Sequence, residues 1–136
     1  MKFNKLVPEL SVKNFEKSLK FYTEVIGFKV EYNRLDSLFA FLSFQGSQIM
    51  IEQENENWKV GKLEYPLGRG INLQIEVESI EPIFKALKKN NYPIFVEPKE
   101  SSYLVGKKKI RCKELLVQDP DGYLLRFSED LKEEII

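Results

Sequence analysis

Glu9, Glu52, Glu76 and Arg126 are charged side chains that fall on the polar face of four strand-like segments. Each stands at an alternate position of a strand-like segment, so each shares a face with its next-but-one neighbours. Glu9 keeps company with Val7 and Ser11, Glu52 with Gln48 and Met50, Glu76 with Asn72 and Gln74, and Arg126 with Ser128. Carboxylates on such a face can hold an organic cation or a hard divalent metal ion. A guanidinium is permanently charged and only donates, so it pairs with acids or anions. The chain has no histidine among its 136 residues. That excludes Ser-His and Cys-His triads and any zinc site that needs imidazole. Magnesium, calcium or manganese held by carboxylates alone stays open.

Two other groups invite chemistry and are better explained otherwise. Asp119-Pro120-Asp121-Gly122 brings two carboxylates together, but Pro and Gly in that order make a tight turn whose aspartates bond its own backbone. Cys112, the single cysteine, lies in a strand without a histidine to activate it, so a buried, inert thiol is expected.

The elements that position these residues follow from periodicity. Residues 6–12 read as a short strand. Asn14 suits a helix cap, though Lys17 denies it a full capping box. Phe15, Leu19, Tyr22 and Ile26 recur at helical spacing, and Gly27 ends that helix. Segments 28–34, 38–44 and 48–54 alternate like strands, with turn chemistry at Asp36-Ser37 and Gly46-Ser47. Residues 55–70, with Gly61, Pro66, Gly68 and Gly70, read as a linker or mobile loop. Then come a strand over 71–77, a helix over 80–90 with Ser79 as cap, a strand over 94–98 and a polar loop over 99–107. A hairpin of 108–118 and 123–129 closes the chain. The order is βαβββ, linker, βαβββ-like, with one strand of the second half uncertain. Val12, Phe15 and Leu19 match Val77, Ile80 and Phe84 at one offset. Gly46, Ile49, Ile51 and Glu54 match Gly122, Leu125, Phe127 and Asp130 at a larger one, which favours an internal duplication.

Composition sets the broad class. The length suits one domain, 1–136, with module one at about 5–54, the linker at about 55–70 and module two at about 71–130. Basic and acidic residues balance at 21 each, so neither a phosphate backbone nor an anionic membrane surface is an expected partner. No stretch approaches the roughly 20 apolar residues of a membrane span, and the start lacks a signal peptide's apolar run. A cytoplasmic protein is expected.

Three stretches together resemble the vicinal-oxygen-chelate (glyoxalase, bleomycin-resistance protein, dioxygenase) superfamily. They are LSVKNFEKSLKFYTEVIGFKV, GRGINLQIEV and LLVQDPDGYLLRFSED, in this order and spacing, spanning about residues 6–130. The resemblance implies an α+β fold of two tandem βαβββ modules forming a curved, cleft-lined mixed sheet, commonly in a homodimer. Enzymes of the superfamily hold a divalent metal on the first and last strands of each module. Those positions align here with Val7, Met50, Asn72 and Arg126. A valine, a thioether and a guanidinium cannot replace hard ligands. A slip of one residue gives Pro8, Ile51, Leu73 and Phe127, which are no better.

The resemblance therefore points to the bleomycin-resistance branch: a binding protein with no cofactor and no metal, sequestering a small molecule, a cationic aromatic antibiotic being the chemistry that fits. Alternation alone would make the polar face a solvated one; the resemblance makes it a cleft wall. Its expected ligand contacts are Glu9, Phe39, Phe41, Glu52, Trp58, Asn72, Gln74, Glu76, Tyr103 and Arg126. Phe39, Phe41, Trp58 and Tyr103 would supply stacking surface and Glu9 and Glu52 charge. Phe39 and Phe41 read equally as ordinary core, Trp58 as a dimer contact and Tyr103 as a loop residue over the cleft mouth. Lys107 to Lys109 read as a solvated edge. The alternative is a divalent-metal-dependent lyase, isomerase or dioxygenase whose Glu9, Glu52 and Glu76 gather an ion in a shifted site.

Overall fold

The computed structural model describes residues 1–135, with side chains through Lys132. It contains two four-stranded sheets of identical connectivity. In the first, β1 (Glu9–Val12), β2 (Lys29–Arg34), β3 (Phe39–Phe44) and β4 (Ser47–Gln53) lie in the order β1-β4-β3-β2. In the second, β5 (Asn72–Val77), β6 (Val96–Val105), β7 (Lys108–Gln118) and β8 (Leu124–Ile135) lie in the order β5-β8-β7-β6. Each sheet has one parallel pair, joining its first strand to its last, and two antiparallel pairs. The βαβββ unit is thus present twice, and the α+β class read from the sequence holds. No helix among the described residues is long and apolar enough to cross a membrane.

The chain forms two compact units. One comprises residues 1–69 together with 119–123, the other residues 70–118 with 124–136. In the first unit Leu10, Val12, Ala40, Leu42, Ile49 and Ile51 form one buried sheet face, and Phe15, Phe21, Tyr22, Ile26 and Phe28 are buried with them. In the second unit, Ile75, Val77, Leu115, Val117, Leu125 and Phe127 are buried with Ile83 and Leu87 of the second helix, α2 (Glu81–Lys89). Alternation places these residues opposite the polar set.

Several local details depart from the sequence reading. The first helix is α-helical only over α1 (Phe15–Lys20); Phe21–Ile26 widens to a π-helix. The Tyr22 carbonyl accepts from both Gly27 N–H (3.0 Å) and Phe28 N–H (2.8 Å), the five- and six-residue closures of a widened exit. Asn14 caps α1 as expected, accepting from Lys17 N–H at 3.1 Å. Ser79 sits one residue too early to be the cap of α2, which is Ile80; its hydroxyl instead accepts from Glu81 N–H at 3.2 Å. The largest correction concerns 99–107. It is not a loop: β6 runs on to Val105 and pairs with β7 through Tyr103↔Ile110 and Val105↔Lys108. Its polar composition hid a strand whose outer edge faces solvent.

The turn at 119–123 belongs to the first unit although it connects β7 to β8 of the second. Asp119 serves that turn, as expected: its Oδ1 accepts from Asp121 N–H (2.9 Å) and Tyr123 N–H (3.0 Å). Both aspartates reach beyond the turn. Tyr22 donates its hydroxyl to Asp119 Oδ2 at 2.7 Å, and Asp121 accepts from Lys13 N–H (3.2 Å) and the Ser18 hydroxyl (3.3 Å). Tyr123 donates its hydroxyl to the Ser11 carbonyl at 2.9 Å. Gly122 has φ +95°, and a Cβ there would lie 2.7 Å from the backbone of Pro66, so the turn tolerates no side chain.

Burial pushes the Asp119 carboxyl up to about 6, against the hydrogen bonds from Tyr22, Tyr123 and Asp121. Its ordinary value is 3.8, so between the two the folded chain holds a proton that the unfolded chain has lost. Stability is therefore expected to fall as pH rises through that window and to level off above it. Asp119→Asn, neutral throughout, should flatten this part of the profile. Thermal unfolding of both proteins from pH 4 to pH 7 measures it, and parallel curves would remove Asp119 as the cause.

Candidate functional site

Register assigns the polar face of each unit residue by residue. In the first unit two rows cross the sheet. One runs Tyr32–Phe41–Met50–Glu9 and the other Arg34–Phe39–Glu52–Ser11, from β2 through β3 and β4 to β1. Four of the residues expected at a ligand site, Glu9, Phe39, Phe41 and Glu52, thus share one face. Phe39 and Phe41 lie opposite the helix-facing core, yet they are almost fully covered, at 1% and 2% exposure. Their cover includes groups that the sequence reading did not single out. Tyr32 stacks on Phe41 with ring centres 5.2 Å apart and planes 12° from parallel. Phe3 meets Phe41 edge-on at 5.3 Å. The Arg34 guanidinium lies over Phe39, 4.1 Å from the ring centre.

Tyr32 and Arg34 reach this face because of a bulge. The β2–β3 register shifts between Val30 and Tyr32, so two residues of β2 are spent against one step of β3. Strict alternation from Val30, whose partner is Leu42 on the core side, would have sent Tyr32 and Arg34 into the core.

The acids complete the first unit's face. Burial and, after it, the nearby Glu52 carboxylate push Glu9 above the usual carboxylate range, while Arg34 pulls it back. Glu52 accepts a hydrogen bond from the Asn55 amide at 2.7 Å. The position of Met50, where the resemblance places a metal ligand, lies between Glu9 and Phe41 in its row. A thioether there adds polarisable apolar surface rather than a hard donor.

In the second unit the face is polar. Its rows pair Gln74 with Arg126 and Leu116, and Glu76 with Ser128 and Glu114. Arg126 donates to Gln74 Oε1 at 2.6 Å and forms an ion pair with Glu114 at 3.5 Å. Glu114 also accepts from the Tyr103 hydroxyl at 2.9 Å, so Gln74, Arg126, Glu114 and Tyr103 form a belt across all four strands. Donating that bond to Glu114, and after it burial, raise the Tyr103 phenol above its ordinary value and keep it protonated. A cleft of about 190 Å³ opens on this face, lined by Gln74, Glu76 and Tyr103 together with Ile110, Cys112, Glu114, Ser128 and Asp130. Arg126 stands beside it, its Nε buried without a hydrogen-bond partner.

Cys112 is buried, as expected, but it lines the cleft. Burial, then the Glu114 charge, push its thiol up, so it stays a thiol and not a thiolate nucleophile. Asn72 is exposed on the same face outside the cleft. Trp58 lies in the irregular segment after β4 and is 64% exposed, apart from both faces' described contacts. Cys112, Glu114 and Ile110 were missed because the alternation of 108–118 was not followed across to β6. Arg34 and Tyr32 needed the bulge, which leaves no mark in the sequence.

The chain belongs to the glyoxalase/bleomycin resistance protein/dioxygenase superfamily, the vicinal-oxygen-chelate proteins, whose model matches residues 2–127. Lactoylglutathione lyase of Haemophilus influenzae is 27% identical over 126 residues, covering 89% of this chain and 88% of that one. A superfamily member of solved structure from Vibrio splendidus 12B01 is 35% identical, over 92% of this chain and 97% of that one, with a TM-score of 0.43. TioX from Micromonospora sp. ML1 shares the fold, with a TM-score of 0.70 at 18% identity over 95% of this chain and all of that one (100%).

The residues present do not fit the metal that the superfamily's enzymes use. Val7, Met50, Asn72 and Arg126 stand at the positions that the resemblance assigns to it. Among the described residues no group of three or more His, Cys, Asp or Glu side chains lies close enough to hold an ion. Arg126 is tied instead into the structure. Glu114 is only 5% exposed, and removing its cation leaves a buried carboxylate with the Tyr103 hydroxyl alone. Arg126→Ala is expected to cost about 2 kcal/mol, below the usual penalty for breaking a fully buried pair because this arginine is partly solvated. Glu114→Gln should cost less. Urea unfolding of the three proteins checks the ranking; equal stabilities would show the pair to be incidental.

Proposed function

We propose that this chain is a binding protein of the superfamily, holding a flat cationic small molecule on its polar sheet face without a metal ion, in the manner of bleomycin-resistance proteins. The observation that carries the reading is the replacement at the metal positions, above all the guanidinium of Arg126. A positive charge where a metal ion would sit repels that ion, and its pairing with Glu114 and Gln74 gives it a settled place. The first unit supports the ligand's chemistry. Tyr32 and, beneath the covers of Arg34 and Phe3, Phe39 and Phe41 bring rings to this face, and Glu9 and Glu52 bring negative charge on the same rows. In the second unit, Glu76 and Asp130 flank a cleft of about 190 Å³ with Tyr103 in its wall. The fold and the family leave the ligand's identity open, and the charge pattern narrows it to cations.

One observation favours a second reading. The curated relative at 27% identity is a lactoylglutathione lyase. A catalyst of that kind would need an ion gathered by Glu9, Glu52 or Glu76, and these do not form a ligand cluster among the described residues. Metal analysis of protein purified without chelator separates the two readings. The expected result is less than stoichiometric divalent metal and no lyase activity on addition of nickel, zinc or manganese. Titration with bleomycin and with simple aromatic cations, followed by Trp58 fluorescence and by calorimetry, should give saturable binding to at least one of them. A stoichiometric ion, or an activity restored by one, would replace the binding reading with the catalytic one.

A further inference from the structure

We propose that Arg34 is an internal occupant of the first unit's aromatic wall, which a flat cationic ligand displaces. This inference rests on the binding reading above. Arg34 ends β2, the edge strand of its sheet, beside the exposed turn at 35–38, where a long charged side chain would ordinarily extend into water. It folds inward instead. Its guanidinium lies 4.1 Å from the centre of the Phe39 ring and 5.7 Å from that of Tyr32. Arg34 remains an exposed residue while Phe39 beneath it is 1% exposed, so the arginine is a removable cover over a ring that is otherwise enclosed.

The contact also faces the two acids. The Arg34 row contains Phe39 and Glu52, and its charge lowers the pKa of Glu9 in the neighbouring row. The arginine thus supplies what an external flat cation would supply: a planar positive group over the ring and a counter-charge for Glu9 and Glu52. Exchanging one for the other keeps the local charge count unchanged. A neutral aromatic molecule would have to move the guanidinium off the ring and leave both acids without that counter-charge. The geometry therefore penalises neutral ligands and makes cation exchange the favourable route. Ring contacts with an exposed cation are weak, so the exchange is accessible without unfolding the sheet.

The test uses 9-aminoacridine as a flat cation and acridone as its neutral counterpart. Binding of each to the wild-type protein, Arg34→Ala and Arg34→Gln is measured by fluorescence titration. Circular dichroism verifies the fold, and Arg34→Gln decides if Arg34→Ala fails to fold. Removing the competing guanidinium should tighten both probes by roughly two- to fivefold, the scale of one exposed ring–cation contact, with 9-aminoacridine the tighter ligand in all three proteins. Saturable wild-type binding that is unchanged or weakened in the variants would overturn the displacement and leave the binding reading standing. Acridone binding the wild-type protein as tightly as 9-aminoacridine would make Arg34 a steric cover only and overturn the charge exchange. Absence of saturable binding in all three proteins would overturn the binding reading and this inference with it.

Discussion

A guanidinium keeps its charge throughout the pH range in which proteins fold, and Arg126 places one, nearly enclosed at its Nε, in the middle of the second unit's polar face. Much of the second unit's polar face answers to that fact. Glu114 supplies the counter-charge, Gln74 takes a second bond, and Tyr103 holds the far oxygen side of Glu114. The belt ties the edge strands β5 and β6 to the middle of the sheet by side chains as well as by the backbone ladder. It also explains why β6 extends so far: Tyr103 can reach Glu114 only if the chain continues in register past Lys99.

The two units use one topology for different surfaces. Strand order is the same, and in each the first and last strands pair in parallel. The first unit's rows are rich in rings, with a sulfur among them; the second unit's rows carry an amide, two acids, a hydroxyl and an arginine, with Leu116 the one apolar member. A duplicated scaffold has thus kept its core periodicity while its other face has diverged. This is what period-two alternation allows, since the two faces of a strand can change independently.

Alternation made most of the fold legible. The strands near 48–54, 71–77 and 123–129 and their facing sets came directly from it, and Asn14, Gly27 and the Asp-Pro-Asp-Gly turn punctuated the chain as their chemistry demands. The failures were of two physical kinds. A polar edge strand looks like a loop, because one of its edges and much of its surface meet water, and so 99–105 was missed. A bulge reverses the facing of all that follows, and so Tyr32 and Arg34 were not assigned to the site. Phe39 and Phe41 lie in a run, FAFLSF, that is apolar in both phases, and only pairing partners could decide their side. The facing of Glu9, Glu52 and Glu76 was legible because Leu10, Ile51, Ile75 and Val77 beside them are apolar and buried.

The placement of the 119–123 turn carries a consequence for how such a molecule can be divided. A protein made of two repeats would be expected to come apart at the connecting segment, each repeat folding on its own. Here the first repeat is finished by five residues that the chain supplies only after most of the second has been synthesised. A fragment ending at Arg69 would leave the Tyr22 hydroxyl, the Lys13 amide and the Ser18 hydroxyl without the acceptors they have in the full chain. The halves are repeats in topology, yet the first takes five of its residues from within the sequence of the second. Its completion on the ribosome therefore waits for residues 119–123 to emerge, and division of the gene at the linker would separate the first repeat from them.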